Sequence, residues 1–287
     1  QAIEKHVALV EKKHSELKLF VEKIQTSTAA WSTDGKIREL AQRINDGQCA
    51  KLKAGAMCPT SQELSDYLTK YKLPLLDAVG IIDILNVDGI VVASSDTSHI
   101  GRNESEDSVA FNEAKLLPFG QATFFHELVS ETDEFNGRMM IHITAPIAST
   151  DNSRLVGVLL AHTENEEVNI VVAEDVGLST ESFIVNKEKL LVTPSRFIPD
   201  AVLKQKINTP PVNECLQHGM PYSGTYIDYR GIEVFSASIC DAKYFGTHVV
   251  KTDKSEVFAE IDRLRNTASA ILAVVLILLM VYAYLSG

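Results

Sequence analysis

Near the C-terminal end, residues 268–285 read ASAILAVVLILLMVYAYL, eighteen positions without a charge. A run of that length and character is long enough to cross the hydrocarbon core of a bilayer. It is apolar on nearly all faces, and Tyr282 and Tyr284 stand near one end, where interfacial aromatics belong. A helix buried in a globular core is the alternative, and its surroundings on this chain speak against it. The chain is therefore expected to be anchored by residues 268–285, with about 265 residues of globular material before the anchor. It begins at Gln1 without a signal peptide and runs two residues past the span, so both ends read as cut.

The globular part is long enough for two modules, and its 45% hydrophobic content can fill a core in each. The net charge of −11 is spread along the chain, which excludes a basic surface for nucleic acid. Arg263 and Arg265, just before the span, favour a cytoplasmic side for the globular part. Four cysteines weigh against them: Cys49 and Cys58 lie nine apart in a polar connector, and Cys215 and Cys240 lie in the C-terminal half. Neither pair has the spacing of a zinc site, so two disulfides and an extracytoplasmic, oxidising location at the cell inner membrane are expected.

Residues 1–30 predict one long helix, because Ile3, Val7, Val10, His14, Leu17, Val21 and Ile24 alternate four-three spacing over three heptads. Such a seam suits a second copy or the helix's own domain, and a parallel homodimer through this N-terminal helix is expected. Shorter helices follow at 36–44 and 61–72. From Val79 the pattern turns to strands. GIIDILNVDGIVVASS predicts a hairpin with its turn at Asn86 to Gly89, and further strands are expected at 122–129, 138–147 and 155–163, with a short helix at 108–115. The order then repeats: ESFIVNKEKLLVTPS mirrors IIDILNVDGIVVASS, IEVFSASI mirrors MMIHITAPI, and the segment at Gly246 mirrors the segment at Gly157. Residues 254–265 predict a helix that runs straight into the span.

The VDGIVVASSDTSHIGRN block (87–103), the APIASTDNSRLVGVLLAHTE block (145–164) and ESFIVNKEKLLVTPSRF (181–197) resemble the double Cache family of extracytoplasmic sensor domains. The resemblance implies an α+β fold: a long N-terminal helix, two PAS-like antiparallel-sheet modules and a C-terminal transmembrane helix. The divisions expected are 1–78 (helical region), 79–176 (membrane-distal sensing module), 177–253 (membrane-proximal module), 254–267 (signalling helix) and 268–285 (span). It also implies a small-molecule ligand in the distal module, output through the last helix, and no catalytic role. The amino-acid-binding subgroup uses an Arg-x-x-Trp-Tyr segment and a late-strand Asp. Here NESEDSVAFNEA follows Arg102, and His162 stands five after Gly157 where that Asp would be. An ammonium needs a carboxylate opposite it, so an anionic, carboxylate-like ligand is favoured.

Strand alternation selects Phe124, His126, His142, Thr144 and His162 as pocket candidates, since the odd positions of the 138–147 strand, Met139, Ile141 and Ile143, are apolar. The family pattern adds Ser94, Ser95, His99, Arg102 and Phe111. The histidines admit three uses, in order of preference: hydrogen-bonded structure, donors to an anion, or metal ligands. The expectation taken is His126, His142 and His162 on one pocket, binding that weakens as pH rises through the histidine range, no metal and no cofactor. No HExxH, GxSxG, Walker-type or GxGxxG motif is present. Two rivals remain: a docking module for a periplasmic partner protein, and a membrane-anchored hydrolase.

Overall fold

The computed structural model describes residues 2–49, 57–104, 109–128, 139–164, 166–173, 177–241 and 245–286. These form two compact units, one of Gln1–Lys13 with Val172–Gly287, the other of His14–Val171. Helix α1 (Ala2–Ser32) contributes its first turns to the former and the rest to the latter.

In the unit of His14–Val171, α2 (Gly35–Arg43) opens on Asp34, whose side chain accepts from the Lys36 and Ile37 amides. This satisfies donors that a helix start leaves open. Asp34 also accepts from Tyr67 and pairs with Lys72 of the segment that ends α3 (Pro59–Tyr71). The sheet runs in the order β2 (Val91–Ser94), β1 (Ile81–Leu85), β5 (Leu155–Glu164), β4 (Met139–Ala148), β3 (Thr123–Leu128), all pairs antiparallel. Gly89, at φ 85°, closes the expected β1–β2 hairpin. The register puts Ile82, Ile84, Leu159, Ala161, Ile141 and Ile143 on one face, all fully buried. The opposite face carries Asp83, Leu85, Val158, Leu160 and His162. There α4 (Val109–Ala114) packs Phe111 and Ala114 onto Leu85, Val91, Val158 and Leu160. Helix α5 (Glu166–Val172) follows β5.

The second unit repeats this plan. Its sheet order is β6 (Glu181–Val185), β9 (Gly246–Asp253), β8 (Glu233–Asp241), β7 (Ser223–Ile227), so β6, β9, β8 and β7 stand where β1, β5, β4 and β3 stand in the first. The place of β2 is held by a single bridge, Val185 to Leu191. Gly157 and Gly246 are matched in detail: a Cβ on either would collide with a backbone carbonyl, that of Leu85 or that of Val185. One face buries Phe183, Val185, Leu191, Ile207, Val212 and Val249, and α6 (Pro210–His218) lies over it, tied to β8 by the Cys215–Cys240 disulfide. The other face takes Val7, Leu9 and Val10 of α1 against Ala237, Ile239 and Val250. The second disulfide joins Cys49 to Cys58, so both pairs are as expected.

Val10, Leu17, Val21 and Ile24 of the α1 seam are buried within the chain. The heptad pattern at these four positions is thus satisfied by packing within the chain's own units. Helix α7 (Lys254–Ser286) merges the expected signalling helix and span. It is the one helix among the described residues long and apolar enough to cross a membrane, with a mean hydropathy of 2.1 and none of its apolar window buried. Its first turn is fastened by Glu256, which accepts from the Leu178 and Ser179 amides at 2.8 and 2.7 Å and from the Ser179 hydroxyl.

Candidate functional site

On the α4-covered face, β1 places Asp83 and β5 places His162 on adjacent strands, while the turn after β2 delivers His99. The Asp83 carboxylate is completely buried, and its Oδ2 accepts from His99 Nδ1 and from His162 Nε2, both at 2.8 Å. His142, directly across from His162 in the register, lies with its Nε2 3.1 Å from His162 Nδ1. The His162 ring meets both others edge-on, at centroid distances of 5.5 Å from His99 and 4.7 Å from His142.

Burial pulls the Asp83 carboxyl upward, but attraction to His162 and hydrogen bonds from His162 and His99 outweigh it and hold the group well below the usual carboxylate range. Burial opposes charge on His99, yet its hydrogen bond to Asp83 raises it overall. His162, wholly enclosed, is pushed down by burial despite Asp83. An ionised Asp83 can only accept, so His99 presents Nδ1–H and a neutral His162 presents Nε2–H. That tautomer leaves a lone pair on His162 Nδ1, and His142 donates Nε2–H to it. Three imidazoles and one carboxylate thus form a directed chain on the α4-covered face.

The expected residues divide as follows. His99, His142 and His162 come together. Thr144 stands on the same face, its hydroxyl donating to the Ala110 carbonyl at 3.3 Å, and Phe111 belongs to the α4 core. Ser94 lies opposite Asp83, but its hydroxyl accepts from the Asp96 amide. The Ser95 hydroxyl likewise accepts from the Ile82 amide, so both serve local structure. Arg102 closes the turn, its amide donating to the His99 carbonyl and its carbonyl accepting from the Val91 amide. Phe124 is a correction: it pairs with Ile143 and so shares the apolar face, away from His142. The backbone register likewise pairs His126 with Ile141, out of phase with the His142–His162 pair, and the His126 side chain lies outside the described residues. Strand parity is fixed within a strand, but its phase against the neighbour is set by pairing. Sequence reasoning missed Asp83. The available signal was a lone carboxylate inside the apolar strand IIDIL, a position that only a partnered acid can occupy.

The second unit has its own buried cluster. Lys251 Nζ, fully buried, pairs with Glu181 Oε2 at 2.9 Å and Asp228 Oδ2 at 2.5 Å. It lies 4.4 Å from the Tyr229 ring centroid and 5.1 Å from that of Phe197. Tyr229 and Ser195 donate to Glu181, and Arg230 Nε donates to Asp228 at 2.7 Å. Burial raises the Asp228 carboxyl, but Lys251 and Arg230 more than offset that and lower it.

No protein-family model matches the chain, and no curated protein matches it in sequence. Solved structures do. The V. cholerae histidine kinase DctB sensor domain is 14% identical with a TM-score of 0.64, over 88% of this chain and 97% of that one. The ligand-binding domain of the Campylobacter jejuni chemoreceptor Tlp3, solved with 4-methylisoleucine, is 14% identical with a TM-score of 0.57, over 88% and 90%. That of the Pseudomonas aeruginosa PAO1 amino acid chemoreceptor PctC, solved with GABA, is 13% identical with a TM-score of 0.55, over 88% and 100%. These are the sensor domain of a histidine kinase and the ligand-binding domains of two chemoreceptors. With its long leading helix, paired antiparallel sheets and trailing apolar helix, the chain has the double Cache sensor fold.

Proposed function

We propose that this chain is the ligand-sensing segment of a membrane-anchored signalling receptor, which takes a small carboxylate-bearing molecule on the α4-covered face of the first sheet. The observation that carries this reading is the cluster on that face, in which His99 and His162 meet one buried carboxylate and His142 joins through His162. A His99 that takes up a proton, as its hydrogen bond to Asp83 favours, carries a second N–H of the kind a carboxylate ligand needs, and α4 with Phe111 supplies the apolar cover of a small-molecule pocket. The fold supports a sensing role. The ligands named for the similar structures, 4-methylisoleucine and GABA, both carry a carboxylate. Two disulfides suit an oxidising compartment, so the globular part is assigned to the periplasmic side of an inner membrane, with α7 as anchor and output element.

The test is calorimetric titration of the full chain in detergent with a panel of small carboxylates and amino acids. At least one should bind saturably, and His162→Ala should weaken it by about tenfold or more, as loss of a charge-assisted hydrogen bond does. Equal affinity for parent and variant would place the pocket elsewhere.

A further inference from the structure

We infer that Asp83, His99 and His162 form a binding site for a divalent transition metal of the zinc class. One ligand atom from each residue lies within 4.8 Å of the other two, and all three residues are buried. Two imidazole nitrogens and one carboxylate oxygen are the donor mixture that zinc and its neighbours accept. Calcium and magnesium demand oxygen donors throughout and are excluded. Three protein ligands leave at least one coordination position for an exogenous group.

A second observation points the same way. Asp83 Oδ1 is buried and has no hydrogen-bond partner among the described residues, while Oδ2 takes both histidines. A fully enclosed carboxylate with one oxygen unused carries an unrecovered desolvation cost, and a cation between the carboxylate and the imidazoles would recover it. The ligands also stand on rigid supports, two of them on paired strands. His142 completes the arrangement: with His162 bound to metal through Nε2, its Nδ1–H would donate to His142 Nε2, already 3.1 Å away, and so fix the ring. On loading, each neutral imidazole ligand moves its proton from the metal-bound nitrogen to its other ring nitrogen, and His142 moves its own from Nε2 to Nδ1, so no proton is lost; a protonated His99 would release one to solvent. The inference uses the pocket proposed above and deepens that reading, because the open coordination position is where a ligand's carboxylate would attach.

The experiment is zinc titration of the chelator-stripped full chain in detergent by calorimetry, with cobalt as a visible-absorption probe. One metal per chain is expected. Asp83→Asn and His99→Ala should each weaken uptake by at least about 100-fold, and His142→Ala by about 10-fold to 100-fold, the range for an outer-sphere partner. His248→Ala, in the other unit, should change nothing. Far-UV circular dichroism checks folding, and if Asp83→Asn fails to fold, His99→Ala carries the test. Absent saturable uptake, or uptake indifferent to Asp83→Asn and His99→Ala, overturns the site. Carboxylate binding with no metal uptake refutes the metal and leaves the sensing reading standing. Metal uptake without carboxylate binding does the reverse.

Discussion

The two sheets share a topology but fill one equivalent position in opposite ways. His162 stands across from Ile81 on β5, and Lys251 stands across from Glu181 on β9, each five residues after the glycine that a neighbouring carbonyl crowds. In the first unit the position carries an imidazole that burial keeps neutral, in contact with two further imidazoles and one carboxylate. In the second it carries an ammonium matched by two buried carboxylates and faced by aromatic rings. Both units remove polar groups from water, but only the second balances them with a fixed charge of its own. The lesson is that a duplicated scaffold can place quite different buried polar clusters at one equivalent strand position.

The sharpest way to break this contrast is Lys251→Met. It strands Glu181 as an uncompensated buried charge, leaves Asp228 with Arg230 alone, and should cost about 3–5 kcal/mol in urea denaturation. If it costs no more than His162→Ala, the second cluster is not closed as described. The glycines come next. Gly157→Ala and Gly246→Ala each drive a methyl group into a carbonyl and should cost about 1–3 kcal/mol. Gly246, at φ 79°, should lose about 1 kcal/mol more, because its backbone conformation also disfavours a side chain. Equal costs at the two sites would show that the second copy relaxes where the first cannot.

The smallest effect is at Asp34. Burial raises its carboxyl, but hydrogen bonds from Lys72, the Ile37 amide and Tyr67 prevail and lower it below its ordinary 3.8. Its stabilisation is therefore complete above that value and disappears as pH falls through the lower folded one. Asp34→Ala should cost about 1 kcal/mol at neutral pH. The gap between parent and variant should close in acid, as thermal melts across pH would show.

Much of the fold was legible from local pattern. The α1 seam, the Asn86 to Gly89 hairpin and the Cys49–Cys58 pair rest on residues close in sequence, and the repeat shows as the same order of short local patterns met twice. The site was legible only in part. His142 and His162 share a face because their strands pair in register, but no local signal sets the phase of β3 against β4, and Phe124 fell on the other side. Asp83 and Lys251 were overlooked for the same reason. A charge inside an apolar strand reads as an interruption until its partners, from residues distant in sequence, are brought beside it.

Glu256 has a mechanical consequence. Its carboxylate grips two backbone amides and a hydroxyl at 178–179, so the root of α7 is riveted at three points to the strand entry of its unit. The helix as a whole runs for 33 residues, about 50 Å at 1.5 Å per residue, with neither glycine nor proline along it. A rod with no hinge cannot absorb a push at its root by bending. Under the proposed sensing role, a displacement of residues 178–179 would be carried along the helix as a stroke and not taken up at a glycine or proline hinge.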